Sequence, residues 1–134
     1  MQDVPFSWPM VIAAVIRMLV GGVWFSPIAF APAWQRIVGI TQDQMKTGFP
    51  KAIAADAFGS LIMAWVLAHA VAYAGAATLG AGAAVGFLSW LGFVAVVQFT
   101  AVIYEQRPVK LFWLTGGFNL VALVAMGALL AVWR

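Results

Sequence analysis

A charged side chain buried in an apolar run is the main chemistry this sequence offers. Arg17 stands inside the stretch Trp8 to Ile28, which carries no other charge. In hydrocarbon such a cation costs about 2.5 to 3.5 kcal/mol on insertion scales, so it must face a partner, water or cargo. Asp56, His69, Gln98, Thr115 and Asn119 could share its level. Counted along the apolar segments from the ends nearest the two basic loops, Arg17 lies about 16 Å in, Asn119 about 13 Å and Gln98 about 9 Å. Asn119 is the expected first partner, with Thr115 four residues earlier on the same helical face. Asp56 lies only about one turn in, so an ion pair with it would demand a tilt or shift. His69 approaches from the opposite side and offers a hydrogen bond instead. Two kinds of chemistry fit such a layer. It can be a clasp between helices, each hydrogen bond contributing about 0.6 to 2 kcal/mol, or a water- or anion-facing station for a small solute or ion.

Other chemistry is missing. There is no cysteine and one histidine, hence no thiolate metal site, no disulfide and no metal-ligand cluster. No Ser/His/Asp spacing, paired mid-membrane carboxylates or phosphate-cradling glycine loop stands out. Neither catalysis nor a cofactor or metal is expected, and Asp56 and Glu105 are badly placed for proton-coupled export.

These residues must be positioned by membrane helices. The 134 residues are 65% hydrophobic and 8% charged, with a mean hydropathy of +1.01, and seven Lys/Arg with four Asp/Glu cannot cover a soluble core. The pI near 9.8 does not indicate nucleic acid, because the cations are scattered. Crossings need about 20 mostly apolar residues, and four segments meet that: 8–28, 53–73, 83–103 and 111–133. Residues 74–84 read as a Gly/Ala-rich hairpin turn, and Pro108 fits beside the fourth helix's first turn. The fold class is all-α: one polytopic transmembrane domain over 1–134, four helices in an antiparallel bundle. A basic n-region is absent, so the first helix is expected to be retained.

Loop one carries Arg36, Lys46 and Lys51, loop three Arg107 and Lys110, and the second loop none. Positive loops stay cytoplasmic, which puts both termini outside a plasma or inner membrane and loops one and three inside. Trp8 and Trp133 then mark the outer interface, Trp34 and Trp113 the inner one. Pro32 can open a short interfacial helix that Gly39 ends, and Thr41 with Gln44 has capping-box spacing for a second short turn.

Small residues supply packing. Ser60, Ala64, Ala68 and Ala72 continue the row begun by Asp56, and Ala13 and Gly21 flank Arg17 at four-residue spacing. Gly82 and Gly86 form a GxxxG match, a weak signal in so Gly/Ala-rich a chain. Four short helices enclose little interior, so a homo-oligomer is expected.

The run Gly22-Val-Trp-Phe-Ser-Pro-Ile-Ala-Phe-Ala-Pro-Ala-Trp34 resembles the hallmark of the domain of unknown function 1761 family, whose first helix ends in Gly-x-Trp-Tyr/Phe-Ser-Pro. Glu105-Gln-Arg107-Pro108-Val-Lys110-Leu111, with Asn119 and Met126-Gly127, is similar to its last hairpin. The resemblance implies a four-helix membrane protein with no established activity, so no catalytic residue carries over; Arg17 lies outside the pattern. Physically, Pro27 lacks an amide donor and restrains Ser26, so helix one should kink or stop there. Trp24, Phe30 and Trp34 would anchor the exit at the inner interface. The expectation is a protein that binds or passes a small solute or ion through Arg17, Gln98 and Asn119. The alternative is a non-transporting scaffold that binds partner membrane proteins.

Overall fold

The computed structural model describes residues 4–26 and 29–133; Pro27 and Ile28 of the hallmark run lie outside them. Among the described residues there are helices and no strand. Helix α1 spans Trp8–Trp24, α2 Ala31–Val38, α3 Gln42–Tyr73, α4 Leu79–Tyr104 and α5 Val109–Val132.

Each boundary has a local cause. Pro9 occupies the first turn of α1, where a missing amide costs nothing. At its end the Phe25 amide donates to Gly21 O at 2.9 Å and the Phe30 amide to Trp24 O at 3.1 Å, turning the chain. Pro32 sits in the first turn of α2, and Gly39 closes it with φ +80°, a conformation glycine adopts without strain. Thr41 and Gln44 cap α3 reciprocally: the Gln44 amide donates to Thr41 Oγ1 at 3.2 Å and the Thr41 amide to Gln44 Oε1 at 3.0 Å. The Thr78 hydroxyl accepts from the Ala81 amide at 3.1 Å to start α4.

Three helices, α3, α4 and α5, are long and apolar enough to cross a membrane. At 17 residues, α1 covers about 25 Å, short of the roughly 30 Å hydrocarbon core. Three boundaries correct the sequence expectation. Helix α1 ends at Trp24, four residues before position 28. The expected short turn after Thr41 is instead the beginning of α3, which runs through Pro50 as one 32-residue helix. The expected turn over 74–84 contracts to 74–78, because α4 begins at Leu79.

Helix α5 is central: half of its apolar window is buried, against 22% for α3 and α4. Its Ala122, Leu123, Met126 and Leu130 meet Met10, Ala13 and Ala14 of α1 and Ala64, Leu67 and Ala68 of α3 in one core. The small row of α3 faces inward, with Ser60 and Ala64 wholly buried. Phe58, Leu88, Phe93 and Val97 point outward at 63 to 80% exposure, an apolar exterior compatible with a membrane protein. Loops one and three meet at one end, where Arg107 Nη1 donates to Ile37 O at 3.4 Å.

Candidate functional site

Arg17 collects partners from two other helices. Its Nη1 donates to Asp56 Oδ1 at 2.5 Å and to Ser60 Oγ at 2.9 Å on α3. Nη2 donates to Asn119 Oδ1 on α5 at 3.3 Å. The guanidinium carbon also lies 5.0 Å from the Phe118 ring centroid, within cation–π range. Asp56 and Ser60 are one turn apart on α3, so they reach the cation from one face. Asn119 is aimed by its own helix: its Nδ2 donates to Thr115 O at 3.1 Å, leaving the amide oxygen for Arg17. Thr115 turns its hydroxyl to Leu111 O at 2.9 Å and contributes its carbonyl to the layer, not its side chain.

The order of partners differs from the depth count. Asp56, not Asn119, is the nearest, because α1 stops at Trp24. Arg17 is then about 10 Å from the end of its helix, not 16 Å. That loss of one turn narrows the offset, and the early start of α3 at Gln42 places Asp56 well inside its helix instead of in the first turn. The pair is neutral overall, with side-chain exposures of 14% for Arg17 and 38% for Asp56.

His69 does not join. Its Nδ1 contacts Trp65 O at 2.8 Å, and its ring lies edge-on between Trp65 and Tyr73, at 4.6 and 6.0 Å between centroids. Gln98 does not bond to Arg17: its Oε1 is buried and has no hydrogen-bond partner, and neither has Arg17 Nε. Gln98, Thr115 and Asn119, with Phe25, Trp34 and Phe118, line a cavity of about 380 Å³ beside the layer. A buried acceptor without a donor carries a desolvation penalty of about 1 to 3 kcal/mol.

Of the hallmark aromatics, Trp24 and Trp34 make contacts within the bundle, and Phe30 is exposed and packs against Trp24. Trp24 Nε1 donates to Leu114 O at 2.8 Å, and a Cβ at Gly117 would stand 3.0 Å from the Trp24 ring. Trp34 packs edge-on to Phe25 at 5.9 Å. The Ser26 amide donates to Val23 O at 3.3 Å, and Ser26 O accepts from the Ala29 and Ala31 amides, so its backbone makes the corner. In the last hairpin, Glu105 and Arg107 are 3.9 Å apart, and Pro108 precedes α5 in extended geometry. Those three residues form a turn away from the Arg17 layer.

Sequence reasoning missed Ser60 and Phe118 as ligands of Arg17 and the indole of Trp90, which donates to Gly116 O at 2.8 Å. Ser60 had a signal: it follows Asp56 by four residues. Among the described residues no group of acidic or histidine side chains could hold a metal.

No curated protein and no solved structure matches the chain. The hallmark run, the Glu105 hairpin and the helical architecture agree with what one family model matches over residues 8–131: the chain belongs to the family described as protein of unknown function DUF1761.

Proposed function

We propose that this is a single-domain, four-crossing membrane protein, and that it binds a small neutral solute carrying an N–H or O–H donor in the cavity beside Arg17. The observation that carries the reading is a space of about 380 Å³ lined by the polar side chains Gln98, Thr115 and Asn119 together with Phe25, Trp34 and Phe118. Solute sites are typically about 300 to 1,000 Å³, apolar with a few placed polar groups. Phe25, Trp34 and Phe118 supply the apolar body here, and Gln98, Thr115 and Asn119 the polar groups. Because Asp56 neutralises Arg17, attraction of an anion is weakened, and a neutral ligand suits the site better.

Binding is favoured over passage. Beyond the Arg17 layer, Ala13, Ala64, Ala122 and Met126 are fully buried against one another, which supports a cavity open toward one end only. In this reading α1 is the fourth crossing, its shortness offset by the aromatic corner, and the basic loops lie in the cytoplasm with both termini outside. Their meeting at Arg107 and Ile37 supports a shared side. A homo-oligomer and the absence of enzymatic chemistry are parts of the same proposal.

The test is a ligand-observed NMR screen of small amides, alcohols and amines against protein in nanodiscs. Binders should appear and be lost in Gln98→Leu. If no compound distinguishes Gln98→Leu from wild type, the cavity is packing and the scaffold reading gains. Flux of the same compounds into proteoliposomes above that of empty vesicles would replace binding by passage.

A further inference from the structure

A second cleft lies between α2 and the first turns of α3, with a volume of about 380 Å³. Its wall carries three donor-bearing side chains, Gln35, Gln42 and Lys46, and the apolar side chains Phe25, Met45 and Phe49. No carboxylate lines it. Lys46 has no ion-pair partner among the described residues. The Gln35 amide donates to the Met45 sulfur, a weak acceptor. The cleft thus carries one cation, two amides and no carboxylate beside apolar groups.

We infer that this cleft holds the headgroup of one anionic phospholipid. A phosphate oxyanion would take the hydrogen bonds of Lys46 and the two amides, charge-assisted and roughly twice as strong as neutral ones. An acyl chain would run along Phe49, which is 60% exposed. A soluble phosphate satisfies only the polar half of this lining, whereas a lipid satisfies both. The surrounding end of the bundle carries Arg36, Lys51, Arg107 and Lys110, the composition that draws anionic lipid to a membrane surface. The local geometry supports the same occupant: α2 is fixed at one end by Gly39 and at the other by Pro32, so its Gln35 face is held against the beginning of α3. This inference uses the membrane setting proposed above but not the Gln98 cavity.

The experiment is native mass spectrometry of the whole chain in detergent, titrated with dioctanoyl phosphatidylglycerol, dioctanoyl phosphatidylcholine or inorganic phosphate. One equivalent of the glycerol lipid should bind saturably, more tightly than the choline lipid. Lys46→Gln should weaken it about tenfold, the worth of one charge-assisted contact. Lys51→Gln, outside the cleft on the same helix, should change it by less than about two-fold, since an isolated exposed charge contributes little. Both positions are exposed, and unchanged thermal unfolding confirms that the variants fold. Equal weakening by the two substitutions would overturn the site in favour of diffuse charge. Equal binding of the two lipids, or of free phosphate and the glycerol lipid, would overturn the anionic-lipid assignment.

Discussion

Helix α4 meets α5 in two different ways along its length. Over residues 79–89 the backbones touch: a Cβ placed on Gly82 or Gly86 would collide with the carbonyls of Gly127 and Leu123, and one on Gly127 with Gly82 O. Over residues 96–104 the helices separate, and Gln98, Ala101, Val102, Leu111 and Thr115 line a space of about 280 Å³ that adjoins the Gln98 cavity. The change falls at the π-helical turn Trp90–Ala95, where the wider winding redirects the helix and the Trp90 indole pins it to Gly116 O. Lipid tails are as apolar as leucine, so helices in a membrane associate through close approach and polar contacts instead of hydrophobic drive. The first half of this interface uses close approach, and the Trp90 indole at the start of the other supplies a polar contact. The dry half gives rigidity; the separated half leaves room for a ligand.

The sharpest way to break that contrast is to fill the dry half. Gly86→Val puts a side chain against Leu123 O, which is backbone and cannot rotate away. The expected loss is about 3 kcal/mol or more of unfolding free energy, read by reversible denaturation in bicelles. Gly59→Ala on α3, with nothing within 4 Å, should stay within about 1 kcal/mol of wild type. Equal effects at the two glycines would mean that α4 and α5 do not touch through their backbones.

The polar layer that lies beside the separated half, between α1 and α3, is tested by removing its charge pair in two ways. Arg17→Met alone leaves Asp56 uncompensated and should cost about 2 to 3 kcal/mol, below the value for wholly buried pairs because Asp56 keeps 38% exposure. The double variant Arg17→Met, Asp56→Leu removes both charges and should recover most of that loss. A double variant no more stable than Arg17→Met would show that the ion pair is not what holds α1 to α3.

These two regions were legible in the sequence to different degrees. The inward row from Asp56 through Ala72, the capping box at Thr41 and the stop at Gly39 follow from spacing and residue type, and Arg17 announced a polar layer by its depth. The partner ranking failed because depth was counted from membrane limits. Residues 42–52 are too polar to count toward a crossing, yet a helix need not end where a crossing does, and α3 already begins at Gln42. Helix α1 leaves its helical path before the proline that was expected to end it, since the Phe30 amide caps Trp24 O. The Gly82 and Gly86 spacing was visible but uninformative alone: its meaning depends on Gly127, more than forty residues away. The Gln98 orphan was invisible for the same reason, because an unmet hydrogen bond is a property of the surroundings.

A smaller effect of opposite sign sharpens the comparison. Gln98→Leu replaces a buried acceptor without a donor by a side chain of similar size, so the unliganded protein should gain about 1 kcal/mol. Asn119→Leu, which removes a bonded group, should lose stability in the same bicelle assay. Destabilisation by Gln98→Leu would show that water already satisfies Oε1 and that the cavity is wet when empty.

The smallest expected change concerns the two indoles that brace α5. Trp24 and Trp90 each donate to a carbonyl of α5, at Leu114 and Gly116, both at 2.8 Å. Those carbonyls lie within α5, where a backbone amide four residues on can also reach them, so neither would be orphaned by losing its indole. Trp24→Phe should therefore cost about 1 kcal/mol or less, and Trp90→Phe slightly more because Trp90 is 6% exposed and loses packing in the core. A loss at Trp24 well above that at Trp90 would place the mechanical hold on α5 at the aromatic corner after α1. In that case the separated half of the interface would be the braced one.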